Sequence, residues 1–255
     1  MSDVNPEPPA GSRRGDPAAG TPAGGLRRPS LVRPPLARRL LAEGLGTALL
    51  VTVVVGSGIA AQQLSPDDVG LQLLQNSTAT VLGLAVLILV FGPVSGAHFN
   101  PVVSGVDWFL GRGTGAGLPG RDVAAYVSAQ VAGAVAGAVL ANAMYALDAV
   151  PISGRDRAGW HAGLAEAVAT AGLILVVFAL ARTGRGALSA AAVGAYIGAA
   201  YWFTSSTSFA NPAVTVGRVF SDTFAGIAPG SVAPVRGPAS CAAGPSPDID
   251  AISSS

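Results

Sequence analysis

Long uncharged runs dominate the middle of this chain. Five stretches, at 40–61, 76–93, 123–147, 161–181 and 187–205, are mostly apolar, and each comes near or exceeds the about 20 residues that a helix needs to cross a bilayer. All are rich in Gly, Ala, Ser and Thr, as in AQVAGAVAGAVLANA. Such small residues let helices pack closely in lipid, where hydrophobicity gives no drive between them. Two further apolar stretches are too short to cross. They are GAHFNPVVSGVDWFL (96–110) and SFANPAVTVGRVF (208–220), and each carries Asn-Pro near its head.

Arginine placement gives these segments a side. Seven arginines precede the first long stretch, Arg112 and Arg121 lie between the second and third, and Arg182 and Arg185 between the fourth and fifth. The loop after the first has Asp67 and Asp68 and no Arg. The loop after the third has Arg155 and Arg157, partly offset by Asp148 and Asp156. By the excess of positive charge on cytoplasmic loops, the N-terminus is expected inside. The first short segment then enters from the cytoplasmic side and the second from the outer side. Irregular backbone is tolerated at membrane depth only where protein buries it or it lines a watery cavity. Two re-entrant half-helices meeting near the midplane satisfy that rule.

The chain also repeats itself. AEGLGTALLVTVVV (42–55) matches AEAVATAGLILVVF (165–178), pairing Glu43 with Glu166 and Thr47 with Thr170. Each copy leads into a second span and then an Asn-Pro half-segment. Each such unit of two spans and a half-segment is separated from the other by one span, an odd number, so their topology is inverted, as in channels and transporters whose site lies at the repeat interface. A carboxylate inside an apolar span is costly and usually functional. Glu43 and Glu166, with His98, are read as anchors that hold backbone donors of the half-segments. Asn is a strong helix cap and Pro suits the first helical turn. Asn100 with Pro101, and Asn211 with Pro212, should therefore open two short helices. Their side-chain amides should offer donors to a passing oxygen, and the positive helix ends should repel cations.

Composition narrows the function. Charged residues make up 11% of the 255, against about a quarter in soluble domains, and mean hydropathy is +0.52. A net charge of +1 gives no reason to expect a nucleic-acid partner. The single cysteine, Cys241, and two distant histidines, His98 and His161, form no metal-ligand or nucleophile constellation, so neither a metal, a cofactor nor an enzyme is expected. The first 37 residues, rich in Pro, Gly, Ala and Arg, should be a disordered cytoplasmic tail.

These motifs, AEGLGT, SGAHFNPVV (95–103), AEAVAT and FANPAVTVGR (209–218), resemble the major intrinsic protein family of aquaporins and aquaglyceroporins. The resemblance implies an all-α membrane protein with an aquaporin-like inverted repeat and two re-entrant half-helices. It implies a channel domain over 38–227, with repeats at 38–147 and 160–227. It also implies a homotetramer in the cell membrane, with a pore for water and small neutral solutes in each subunit. The paired motifs would be Asn100-Pro101-Val102 and Asn211-Pro212-Ala213. Family spacing puts the constriction at Thr80, Ala199, Ser208 and Val214.

Three departures from the family matter. Val102 replaces a usual Ala. Val214 stands where the family usually has Arg, and Arg218, a turn deeper, is a poor substitute expected to face a polar loop. The filter is then wide and mildly polar, suited to glycerol-like solutes or undissociated metalloid acids. Third, five spans are recognisable instead of six. Beyond Phe220 the chain is interrupted by Pro229, Pro234 and Pro238, so 228–255 is expected to be a disordered tail, the mark of a frameshift or truncation. The competing readings are a truncated, non-conducting relative and a coupled secondary transporter. The transporter would need titratable groups along its path, and Glu43 and Glu166 are better explained as anchors.

Overall fold

A computed structural model of the chain describes residues 33–232, apart from 116, 158 and 207–209. Seven α-helices lie among them: α1 Leu36–Leu64, α2 Val69–Ser95, α3 Pro101–Gly111, α4 Gly120–Met144, α5 Trp160–Arg182, α6 Ser189–Phe203 and α7 Pro212–Arg218. Five are long and apolar enough to span a membrane, α6 with the single turn that precedes it. The chain is a multi-span membrane protein. α3 and α7 are the two half-length helices.

Helix ends depart from the hydrophobic runs where polar groups find partners inside the protein. α1 starts four residues before its apolar run because Arg39 is buried and pairs with Asp122 of α4 at 2.7 Å. α2 starts seven residues early. Asp68 caps it by accepting the Leu71 N–H at 2.8 Å, and the buried Gln72 donates to the Ser65 carbonyl at 2.7 Å. Asn76 then ties α2 to α1, donating to the Val54 carbonyl at 2.8 Å. These side chains look like breaks in a span, yet their hydrogen bonds offset the cost of burial.

α4 lies along α1 and brings the backbones close. A Cβ on Gly133 would collide with the Gly44 carbonyl, and one on Gly137 with the Ala48 carbonyl. Thr52 of α1 donates to the Gly137 carbonyl at 3.1 Å. This is the small-residue packing that lipid demands.

Beyond α7 the chain folds back over the C-terminal end of α4. Asn142 donates to the Phe220 carbonyl at 2.8 Å, and Arg157 donates to the Phe224 and Gly226 carbonyls. The expected boundary at 227/228 needs correction. Residues 229–231 form a single 3-10 turn, and the buried Ser231 donates to Asp156 at 2.6 Å. The remainder of the expected tail, 233–255, lies outside the described residues, as do 1–32 of the expected N-terminal tail.

Candidate functional site

The turns that lead into the two half-helices are strained alike. Phe99 sits at φ 49° and Ala210 at φ 42°, each immediately before its asparagine. Non-glycine residues rarely adopt this left-handed region, at roughly 1–2 kcal/mol apiece. In both repeats a carboxylate holds the strained residue. Glu43 accepts the Phe99 N–H at 2.7 Å, and Glu166 accepts the Ala210 N–H at 2.6 Å. Glu43 further accepts the His98 N–H at 3.0 Å, the Ser95 hydroxyl at 2.6 Å and the Gln130 amide at 2.8 Å. His98 reaches Ser104 at 3.1 Å, and Gln130 also donates to Ser104 at 3.0 Å.

The strain aims the turn carbonyls across the repeat interface. Asn100 Nδ2 donates to the Ala210 carbonyl at 2.6 Å, and Asn211 Nδ2 donates to the Phe99 carbonyl at 2.8 Å. Their Oδ1 atoms cap the half-helices, Asn100 taking the Val102 N–H at 2.9 Å and Asn211 the Ala213 N–H at 3.1 Å. One hydrogen of each Nδ2 stitches the two turns together, and one per asparagine is left over.

Both asparagines border a cavity of 270 Å³. Its apolar lining includes Leu50, Leu84, Leu173 and Ile197. Its polar groups include Thr80, Tyr201, Arg218, His98 and Asp107. Val214 lines it too, so the position expected to carry the family's Arg presents an isopropyl group. Thr80 and Tyr201 hydroxyls lie 3.2 Å apart.

Other expected residues fall elsewhere. Ala199 is exposed on the far side of α6. Val193, Ile197 and Tyr201 recur every fourth residue and share the cavity face. Ala199 lies two residues from Ile197 and from Tyr201, about 200° round the helix. Ser208 lies outside the described residues. Val102 and Pro212 border a side groove instead of this cavity. Pro101 is half-buried and Ala213 fully buried.

Arg218 does face a loop, as expected, with its Nε donating to the Ala225 carbonyl. It is nonetheless 4% exposed and lines the cavity. Arg157, in the loop before α5, is pulled below the ordinary guanidinium range by burial and then by neighbouring Arg155. Sequence reasoning missed Tyr201, Gln130 and Asp107. The one signal for Asp107 was a lone carboxylate in an apolar half-segment. It accepts the Leu118 N–H at 2.7 Å.

Inverted repeats, paired half-helices and a cavity at their junction define a membrane-pore fold. The chain belongs to the major intrinsic protein family, whose sequence description it matches over residues 30–220. It is 52% identical over 191 residues to "Aquaglyceroporin AqpS" of Rhizobium meliloti (strain 1021), covering 75% of this chain and 79% of that protein. It is 38% identical over 104 residues to the "Glycerol uptake facilitator protein" of Pseudomonas aeruginosa, covering 41% of this chain and 34% of that one. Its fold is similar to that in the X-ray structure of the aquaglyceroporin from Plasmodium falciparum. That match has TM-score 0.57 and 22% identity, and covers 72% and 79% of the two chains.

Proposed function

We propose that this chain is a passive transmembrane channel whose conduit is the cavity bordered by Asn100 and Asn211. It passes water and small neutral solutes of the glycerol kind. The observation that carries this reading is the mixed lining of that cavity, in which apolar side chains stand beside the two asparagines and the Thr80 and Tyr201 hydroxyls. The apolar side chains suit a carbon backbone, and the donors and hydroxyls suit the oxygens of a polyol. A neutral solute exchanges water for these groups at little cost, whereas an ion loses far more on leaving water.

In this reading the constriction is formed by Thr80, Tyr201, Val214 and Arg218. Thr80, Val214 and Tyr201 line the cavity, which supports them as its members, with Tyr201 taken in place of Ala199. Val214 leaves room that an arginine would fill, so glycerol and undissociated metalloid acids fit as well as water. Glu43, Glu166 and His98 hold the turns. The channel sits in the cell membrane with its N-terminus inside. It assembles as a homotetramer, for which the exposed Leu82, Val86 and Leu89 of α2 and Val168 and Leu175 of α5 offer apolar contact.

Stopped-flow swelling of vesicles holding the 255-residue chain tests the reading. Water and glycerol permeabilities well above those of empty vesicles are expected. Folded protein with neither flux would favour the second reading, a non-conducting relative, for which the thin cover of α5 speaks: only 17% of its apolar stretch is buried.

A further inference from the structure

The two half-helices carry opposite charges at matched positions. Asn100, Val103 and Asp107 of α3 line the cavity, as do Asn211, Val214 and Arg218 of α7. The steps of three and then four residues are the same in both, and they keep each set on one helix face. Asp107 in the first repeat thus stands where Arg218 stands in the second. The two lie at opposite ends of the cavity. Both half-helices start at the junction, where the asparagines exchange their crossed bonds. From there α3 runs towards the beginning of α4, where Asp107 Oδ2 accepts the Leu118 N–H at 2.7 Å. α7 runs towards the far end of α4, where Asn142 donates to the Phe220 carbonyl. Gly120 and Asn142 of α4 stand about 33 Å apart at the helical rise.

We propose that Asp107 is a specificity-determining residue that bars small anions from the conduit; this rests on the reading of the cavity as the path of the solute. Among the described residues Asp107 is the only carboxylate that lines the cavity. Its side chain is 30% exposed, so it meets what enters at that end. The other polar groups set the need for a negative charge. The Arg218 guanidinium, the asparagine amides and the positive start of α3 all favour an anion. Desolvation opposes its entry, but fixed positive charge in a low-dielectric wall offsets that cost. A carboxylate at the mouth restores the barrier by repulsion.

The bond to Leu118 does not by itself account for an acid. An asparagine amide oxygen accepts an N–H equally well and carries no charge. His98 does not take up the carboxylate in a hydrogen bond either. Its Nε2 lies 3.9 Å from Asp107 Oδ2, beyond hydrogen-bond reach, and its Nδ1 engages Ser104. A cation drawn towards Asp107 meets Arg218 at the other end of the cavity. A neutral solute meets neither repulsion.

Nitrate and urea are the probes. Both are planar and alike in size, so they differ chiefly in charge. Vesicles holding the full chain are swollen in urea and, with valinomycin to carry the cation, in potassium nitrate. The unchanged chain should pass urea and leave nitrate at the level of empty vesicles. Asp107→Asn keeps an acceptor for Leu118 but loses the charge. It should raise the nitrate-to-urea permeability ratio at least about tenfold, ~1.4 kcal/mol of barrier. Asp107→Glu keeps the charge but displaces the loop contact, and should hold the ratio near the native one. An unchanged ratio in the asparagine variant would overturn the proposal, as would nitrate flux through the unchanged chain. So would a ratio raised as much by glutamate as by asparagine, which would make Asp107 a clamp on the loop. Swelling in potassium nitrate without valinomycin would mean a general leak, again against the proposal. If the asparagine variant does not reconstitute, Asp107→Cys in a Cys241→Ser background gives the same comparison. It is capped after reconstitution with a neutral or an anionic methanethiosulfonate, and only the neutral cap should let nitrate pass. An unchanged chain that passes neither urea nor water above empty vesicles would remove the conduit itself, and the proposal with it.

Discussion

A carboxylate inside a bilayer must be neutralised or surrounded by donors, and Glu43 is surrounded. Four donors converge on it, two of them backbone N–H groups of a strained turn. Glu43→Gln replaces one acceptor oxygen with a donor that faces other donors. Charge-assisted bonds are worth about 1.5–3 kcal/mol each, so the variant should lose roughly 3 kcal/mol. Thermal unfolding in detergent should show a clearly lower midpoint, and an unchanged one would mean that the turn holds itself. At the proposed constriction, Val214→Arg would place a fixed fork of donors in the cavity. Glycerol flux should fall about tenfold, equivalent to ~1.4 kcal/mol of barrier, with water flux much less affected. Swelling of the same vesicles in both solutes checks this. The anchors and the Asn-Pro pairs were legible because each occurs twice at matched spacing. Tyr201 was not. Counting back from Asn211 gives Ala199 only if the linker keeps its usual length, and no hydrophobic pattern fixes that length.

The five long helices were legible as apolar runs, but their ends were not. Arg38 and Arg39 read as a charged flank, yet Arg39 lies buried against Asp122. The partner sits 83 residues away, and no local pattern could show it. At the α1–α4 contact, glycine spacing carries the fold. Gly133→Leu should force the helices apart and sharply cut the yield of folded protein. Gly105→Ala should be tolerated, because nothing lies within 4 Å of a Cβ there and alanine favours helix. Fluorescence-detected gel filtration compares the two, and equal yields would mean that the glycine contact does not hold α4 in place.

For the molecule as a whole, arginine asymmetry predicts which face is which. Cysteines placed at Asp67 and at Gly184 in a Cys241→Ser background test it in intact cells. A membrane-impermeant maleimide should label the first and spare the second, and the reverse would invert the topology. The unequal cover of the two halves goes with the five spans, instead of six, recognisable in the sequence and found among the described residues. The crossed bonds from Asn100 to Ala210 and from Asn211 to Phe99 have a thermal corollary. Each half of the protein grips the turn of the other, so on the proposed conduit the geometry of the waist is fixed by these bonds and not by a moving segment. A solute then waits for no breathing motion of the polypeptide. The temperature coefficient of flux should reflect only the exchange of hydration for wall contacts. An Arrhenius plot should be shallow and straight, without the steep slope of a process that must first unlock a door.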